Sequence, residues 1–253
     1  MRALVIHCHP REESFTAAVR DVVMDRLAAG GAEARLIDLY AEGFDPVLTA
    51  EGHEGYLDVA ANRAGLEAHV EALAWCDTLV FVYPTWWYGL PAMLKGWLDR
   101  VLLPGVAFHM PTGPGETIAP AMTHITRIMV FTTCGATRWL TFLVGAPGMR
   151  TLTRGVRLVC AKGCRTEVLA HYLMDSATPE SLSRHLDRVA ARVDRMTARA
   201  PRRTEVPACP TPPSPSSTGA RTPPTPKASP PGWAACAATR VSSSSKATAS
   251  RTG

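Results

Sequence analysis

The chain has 253 residues, enough for one well-buried core, and its 27 Lys and Arg against 22 Asp and Glu give a formal charge of +5. From Pro201 onward seven basic residues stand against one acidic residue, Glu205, so this tail carries +6 and residues 1 to 200 carry −1. That split argues against a nucleic-acid surface on the folded part. Seven scattered cysteines, the closest pair being Cys160 and Cys164, lack the spacing of a zinc site and read as reduced thiols of a cytoplasmic protein.

The first apolar run, ALVIHC over 3 to 8, is rich in strand formers. It is too short for the apolar core of a signal peptide, and no later stretch approaches the ~20 residues of a membrane span, so the protein is expected to be soluble. Phe15, Ala18, Val19, Val22, Val23 and Leu27 then recur at helical spacing until Gly30 and Gly31. The segment EARLIDL, 33 to 39, alternates as a strand. Residues 40 to 62 are irregular and polar, and a helix is expected from about 63 to 75.

The run TLVFVYP, 78 to 84, is continuously apolar, as in a central strand buried on both faces. Pro91 opens a helix to Leu102. ITRIMVFTT, 125 to 133, is a fourth strand, and helix loosely patterned around Gly145, Pro147 and Gly148 is expected within 137 to 160. RTEVLAHYLM, 165 to 174, is a fifth strand. Thr178, Pro179 and Glu180 give a cap, a first-turn proline and an acidic first turn for a last helix ending near Arg199.

Strands alternating with helices predict an α/β fold: an open, five-stranded parallel sheet of flavodoxin-like order 2-1-3-4-5, with helices on both faces. One domain of this flavodoxin-like kind is expected over 1 to 200. The remainder, 201 to 253, holds 11 of the 21 prolines and no apolar periodicity, and is expected to be disordered.

Such sheets bind ligands outside the carboxyl ends of the strands, where the strand order reverses. Three loops fall there. After strand one, His9-Pro10-Arg11-Glu12-Glu13-Ser14-Phe15-Thr16 enters a helix through a serine cap, and free N–H groups at such an entry suit a phosphate. Neither the dinucleotide glycine fingerprint nor a P-loop is present. After strand three, Pro84-Thr85-Trp86-Trp87-Tyr88-Gly89 offers aromatic walls for a flat heterocycle, or a subunit interface. After strand four, Thr132-Thr133-Cys134-Gly135 lets backbone approach a ring edge closely. A phosphate at one end and a flat ring at the other point to a flavin.

These residues resemble the flavodoxin-like NAD(P)H:quinone oxidoreductases, the family of DT-diaphorase and its bacterial relatives. The resemblance rests on His9 spaced before Ser14-Phe15, on YPTWWYGLPAMLKGWLDRVLLPGVAF over 83 to 108, and on Thr132-Thr133-x-Gly135. It covers about residues 2 to 198. It implies an NAD(P)H dehydrogenase (quinone), with FAD or alternatively FMN as cofactor, NAD(P)H as co-substrate, a quinone-like acceptor and a homodimer.

The resemblance puts His9, Ser14, Phe15 and Thr16 along the flavin phosphates. It puts Pro84, Thr85, Trp86, Trp87 and Tyr88 against the ring and ribityl chain, and Thr132, Thr133, Cys134 and Gly135 at the polar ring edge. Phe108 stands where a second subunit often offers an aromatic wall to the substrate. DT-diaphorase carries a Tyr and a His after its Thr-Thr-Gly-Gly loop; here Leu140 and Ala146 fall at those places, and Cys134 replaces the first glycine. No protein acid or base is therefore assigned, and no metal site. The alternative class is a non-catalytic flavin-binding regulatory subunit, as in potassium-efflux ancillary proteins.

Overall fold

The protein is described by a computed structural model over residues 1–198; the tail expected to be disordered, 201 to 253, lies outside the described residues. The first strands are β1 (Arg2–His7), β2 (Glu33–Asp38) and β3 (Thr78–Pro84). A two-stranded antiparallel ladder follows, β4 (Phe108–His109) with β5 (Ala119–Pro120). The main sheet is completed by β6 (Arg127–Thr133) and β7 (Arg165–His171). Its order is β2-β1-β3-β6-β7, parallel throughout. With the small ladder set aside, this is the expected 2-1-3-4-5.

The helices are α1 (Phe15–Ala29), α2 (Ala50–Glu54), α3 (Glu67–Trp75), α4 (Ala92–Val101), α5 (Arg138–Val144), α6 (Pro147–Arg150) and α7 (Pro179–Ala198). Alternation along the central strands sends side chains to two cores. Ala3, Val5, Val80, Val82, Met129 and Phe131 pack with Val19, Val23 and Leu27 of α1 and Val189 and Val193 of α7. Leu4, Ile6, Leu79, Phe81 and Val130 pack with Leu73 of α3 and Leu94, Trp97 and Val101 of α4. Every residue of β3 is buried, which explains its unbroken apolar run. Each large buried side chain contributes about 1.5–3 kcal/mol.

Register sets the functional edge. Pro84 pairs with Thr133, and Thr133 pairs with His171. His7 pairs with Val82 on one side and Asp38 on the other. The carboxyl ends of β1, β3, β6 and β7 thus open onto one edge of the sheet. The chain leaves β1 toward β2 and leaves β3 toward β6, so the crevice between those two exits is the switch point.

Several expected boundaries move for local reasons. The fifth strand stops at His171 rather than 174, because Leu173 is left-handed at φ 59°. The helix expected from 63 begins at Glu67, after Gly65 turns at φ 74°; Arg63 instead donates to Gly105 O at 2.8 Å. Within 40 to 62 a short helix does form, α2, capped by Thr49, which accepts from Gly52 N–H at 3.1 Å. Helix within 137 to 160 breaks into α5, α6 and two further turns of π and 3₁₀ type, since Gly145 at φ 94° ends α5. Pro91 is the N-cap of α4 rather than a first-turn residue.

Candidate active site

The segment after β3 folds into a tight turn. Gly89 N–H donates to Trp86 O at 2.9 Å, and the two central residues, Trp87 and Tyr88, have φ of 49° and 61°. Positive φ at both central positions is the signature of a type I′ turn, which glycine and asparagine normally supply. Here two bulky aromatics hold it. Left-handed backbone costs such residues about 1–2 kcal/mol each, and strain of this kind gathers at ligand sites.

The neighbourhood enforces the turn. Gly148 N–H of α6 donates to Tyr88 O at 3.2 Å. A Cβ on Gly148 would stand 2.7 Å from the carbonyl carbon of Gly89, so only glycine admits this approach. Thr85 N–H donates to Thr133 O at 2.7 Å, and the Thr85 and Thr132 hydroxyls bond at 2.8 Å. The loops after β3 and β6 are therefore stitched together at their roots.

Above them lies a cleft of about 660 Å³. Pro84 to Tyr88 form one wall; Thr133, Cys134, Gly135 and Ala136 form the lip; Leu140 and Thr141 close it from α5. Trp87 is 96% exposed and Trp86 43% exposed, so the aromatic surface faces open space rather than a core. Among the described residues, no hydrogen bond takes the N–H of Trp87, Tyr88 or Gly135. Three unpartnered donors beside an apolar wall suit the carbonyl and nitrogen edge of a flat heterocycle, and the volume is that of a cofactor pocket. The residues present fit a flavin.

Cys134 lies on this lip but is only 2% exposed. Burial pushes its thiol pKa up, against a weaker opposing hydrogen bond from Thr85. It therefore stays a thiol and brings no thiolate chemistry to the cleft.

The loop after β1 builds the neighbouring corner. Ser14 caps α1, its hydroxyl accepting from Ala17 N–H at 3.0 Å. Phe15 and Thr16 N–H remain at the helix mouth without an intrahelical partner. Nδ1 of His9 accepts Arg11 N–H at 3.1 Å, and the His9 ring lies 6.4 Å from that of Trp86. The imidazole thus bridges the helix mouth and the aromatic wall, and burial lowers its pKa.

Beneath, Asp38 accepts from His7 Nδ1 at 2.8 Å and from Arg20 at 3.2 Å, and Arg20 also reaches Glu12. Burial opposes ionisation of Asp38, but Ala41 N–H and His7 outweigh it and hold the carboxyl below its usual range. This network ties β1, β2 and the root of α1 together.

Of the residues named from sequence, Pro84 to Tyr88, Thr133, Cys134 and Gly135 share the cleft. Thr132 is buried beneath it. His9, Ser14, Phe15 and Thr16 form the adjoining helix mouth, where Thr16 is buried and Phe15 packs against His171 and His185. Phe108 lies apart from this cleft, in a smaller hollow with Lys95, Leu102 and Val156. Leu140 does line the cleft, whereas Ala146 is the left-handed N-cap of α6, φ 46°.

Sequence reasoning missed Met174 and Asp175, which also line the cleft. They belong to the turn after β7. The strand-end rule, applied to the fifth strand as well as to the first, third and fourth, would have found them.

The chain matches, over residues 1–197, the model of a family described as having the flavodoxin-like fold. An uncharacterized NAD(P)H oxidoreductase of Escherichia coli (strain K12) is 38% identical over 109 residues, 42% of this chain and 55% of that protein. The human ribosyldihydronicotinamide dehydrogenase (quinone) is 29% identical over 126 residues, 44% of this chain and 54% of that protein. The chain thus spans about half the length of the curated relatives it matches. Among solved structures, an NAD(P)H:quinone oxidoreductase from Methanothermobacter marburgensis superposes with a TM-score of 0.61 at 25% identity, over 78% of this chain and 96% of the other. Sheet order, the crevice at its switch point and the family match agree, and the chain belongs to the family with the flavodoxin-like fold.

Proposed function

We propose that the protein is a flavin-dependent NAD(P)H:quinone oxidoreductase whose flavin lies in the cleft between the turn after β3 and the loop after β6. The observation that carries this reading is the pair of left-handed aromatics, Trp87 and Tyr88, held strained at the switch point with their N–H groups unpartnered. The flavin, FAD in preference to FMN, would supply the hydride chemistry, taking two electrons from NAD(P)H and giving them to a quinone-like acceptor.

The chain's own part is positioning. Trp86, Trp87 and Tyr88 give the ring an apolar wall. Gly135 and Thr133 present backbone and hydroxyl to its polar edge. His9 and the N–H groups of Phe15 and Thr16 face the phosphates. Donor and acceptor use one place in turn, so ping-pong kinetics are expected. The names of the similar proteins support the reaction class.

A homodimer completes the site in this reading. On α5, Trp139 is 68%, Phe142 73% and Leu143 63% exposed, and Trp87, on the cleft that α5 closes, is still more open. So much contiguous apolar surface on one short helix supports burial against a second copy. Phe108 would then reach the partner's cleft as its substrate wall. Residues 1 to 200 act as one flavin-binding unit, working in the cytoplasm; the described cysteines, all buried and unpaired, accord with a reducing compartment.

The test is to record an absorption spectrum of the purified protein, then add NADPH and a quinone in turn. Bleaching and recovery are expected. A protein that takes up no flavin sinks the reading. A flavin that binds but never cycles favours the second reading, a non-catalytic regulatory subunit. What favours that alternative is Leu140 on the cleft wall, a side chain unable to donate a proton.

A further inference from the structure

A second hollow, of about 550 Å³, shares no residue with the cleft and opens beside the segment that leads into β7. Arg154, Arg157 and Lys162 line it with Thr123 and Cys160, and no carboxylate does. Cys160 follows the 3₁₀ turn of Val156–Val159, and Cys164 immediately precedes β7. The chain between them is a short excursion pinned at both ends. Ala161 N–H donates to Ile125 O at 3.0 Å, and Arg165 N–H donates to Thr126 O at 2.9 Å. Cys164 N–H closes a turn on Ala161 O at 2.8 Å. Two consecutive acceptors thus hold the two cysteines side by side, and their thiols share a hydrogen bond.

We propose that Cys160 and Cys164 form a reversible dithiol, oxidised to a disulfide by exchange with a small anionic disulfide, of the glutathione disulfide kind, that docks in this hollow. Charge selects the occupant: three cations and no carboxylate face it, which favours carboxylate-bearing molecules over cationic ones. Cys160 is the sulfur that lines the hollow. Cys164 is 2% exposed and does not line it, so it is reached through Cys160. Arg157 Nε donates to Cys164 O at 2.8 Å, which sets the guanidinium beside the pair.

The pair gives up its first proton readily and its second with difficulty. The hydrogen bond from Cys160 is the main cause, and with Arg157 it outweighs burial and lowers Cys164. The same bond, together with burial, raises Cys160. The remaining proton belongs to the pair, so either sulfur can carry the anion. Cys76, a third thiol nearby, is raised by burial to about 12 and stays protonated. In the first step the Cys160 thiolate attacks one sulfur of the small disulfide, whose S–S bond breaks. The departing thiolate takes the proton left on Cys164. In the second step the Cys164 thiolate attacks the Cys160 sulfur and the mixed disulfide breaks. The second small thiolate takes from solvent the proton that the pair first released. Two protein thiols are oxidised by two electrons, and one small disulfide is reduced to two thiols. Nothing in this chemistry needs the flavin.

The test exposes the full chain, carrying Cys209→Ser and Cys236→Ser, to glutathione disulfide, then alkylates it and digests it with trypsin for mass spectrometry. Cleavage after Lys162 separates the two cysteines, so the disulfide appears as residues 158–162 joined to residues 163–165. That joined pair is the expected product, and its rate should rise with pH to an inflection below the ~8.5 of a free thiol. Rates are read as loss of alkylatable thiol and scaled by the rate of the same reagent on the urea-unfolded chain. On that scale cystamine, a cationic disulfide, should react more slowly than glutathione disulfide. Arg154→Gln and Lys162→Gln should each slow glutathione disulfide about two- to fivefold and leave cystamine unslowed. Cys164→Ser should stop at a glutathione adduct on Cys160, and Cys160→Ser should take up none. Thiols that react in urea but not in the folded chain overturn the proposal. So does a bond to Cys76 instead, or the absence of any preference for the anionic reagent.

Discussion

Trp87 and Trp97 lie ten residues apart in one apolar stretch, yet Trp87 is 96% exposed and Trp97 is 0% exposed. Trp97 obeys helix periodicity. With Leu94, Leu98 and Val101 it forms the buried stripe of α4, and its indole N–H donates to His69 Nδ1 at 3.3 Å. Trp87 obeys nothing periodic; it sits on a left-handed turn that presents it outward. The same residue type thus serves stability in one place and is held away from stability in the other. Hydrophobicity alone does not separate the two. Backbone conformation does.

That contrast can be broken by mutation. The largest effect is expected from Trp97→Ala, a loss of about 3–5 kcal/mol in urea denaturation. A loss below about 1 kcal/mol would mean that the α4 core does not depend on its largest side chain. Gly148→Ala comes next, at about 1–3 kcal/mol, because the added methyl meets the backbone of Gly89. It should also lower retained flavin, since the turn must shift; unchanged flavin content would uncouple α6 from the site.

Tyr88→Gly sharpens the comparison. Relief of about 1–2 kcal/mol of left-handed strain is offset by about 0.5–1 kcal/mol of glycine entropy. A small rise in thermal midpoint is expected, and a clear fall would show that the turn is not strained. Trp87→Ala should leave stability within about 0.5 kcal/mol of the parent while weakening flavin binding in equilibrium dialysis. Undiminished binding would remove Trp87 from the site.

The sheet and its order were legible because β3 and β6 are buried along almost their whole length, and continuous burial writes a continuous apolar run. The cleft was legible because topology alone says which strand ends meet. The small ladder of β4 and β5 was not, since two residues per strand leave no pattern. Asp175 was hidden because the expected strand ran on through Leu173, a residue type that gives no warning of positive φ. The approach of His171 to His185, 5.1 Å between ring centres, was out of reach for another reason: the two residues lie on different elements, β7 and α7.

Arg26 of α1 clasps Asp194 of α7 through two bonds of 2.7 Å, across 168 residues of sequence. Gly30 at the end of α1 lets Thr197 come close enough that any Cβ there would collide with it at 2.5 Å. The first described helix therefore waits for the last described helix before its apolar face is fully covered. During synthesis Val19, Val23 and Leu27 have only part of their eventual partners, and closure of such distant contacts is slow. A nascent chain stalled before α7 would carry an open apolar flank. Chaperone demand should thus fall at one point of translation, when α7 leaves the exit tunnel.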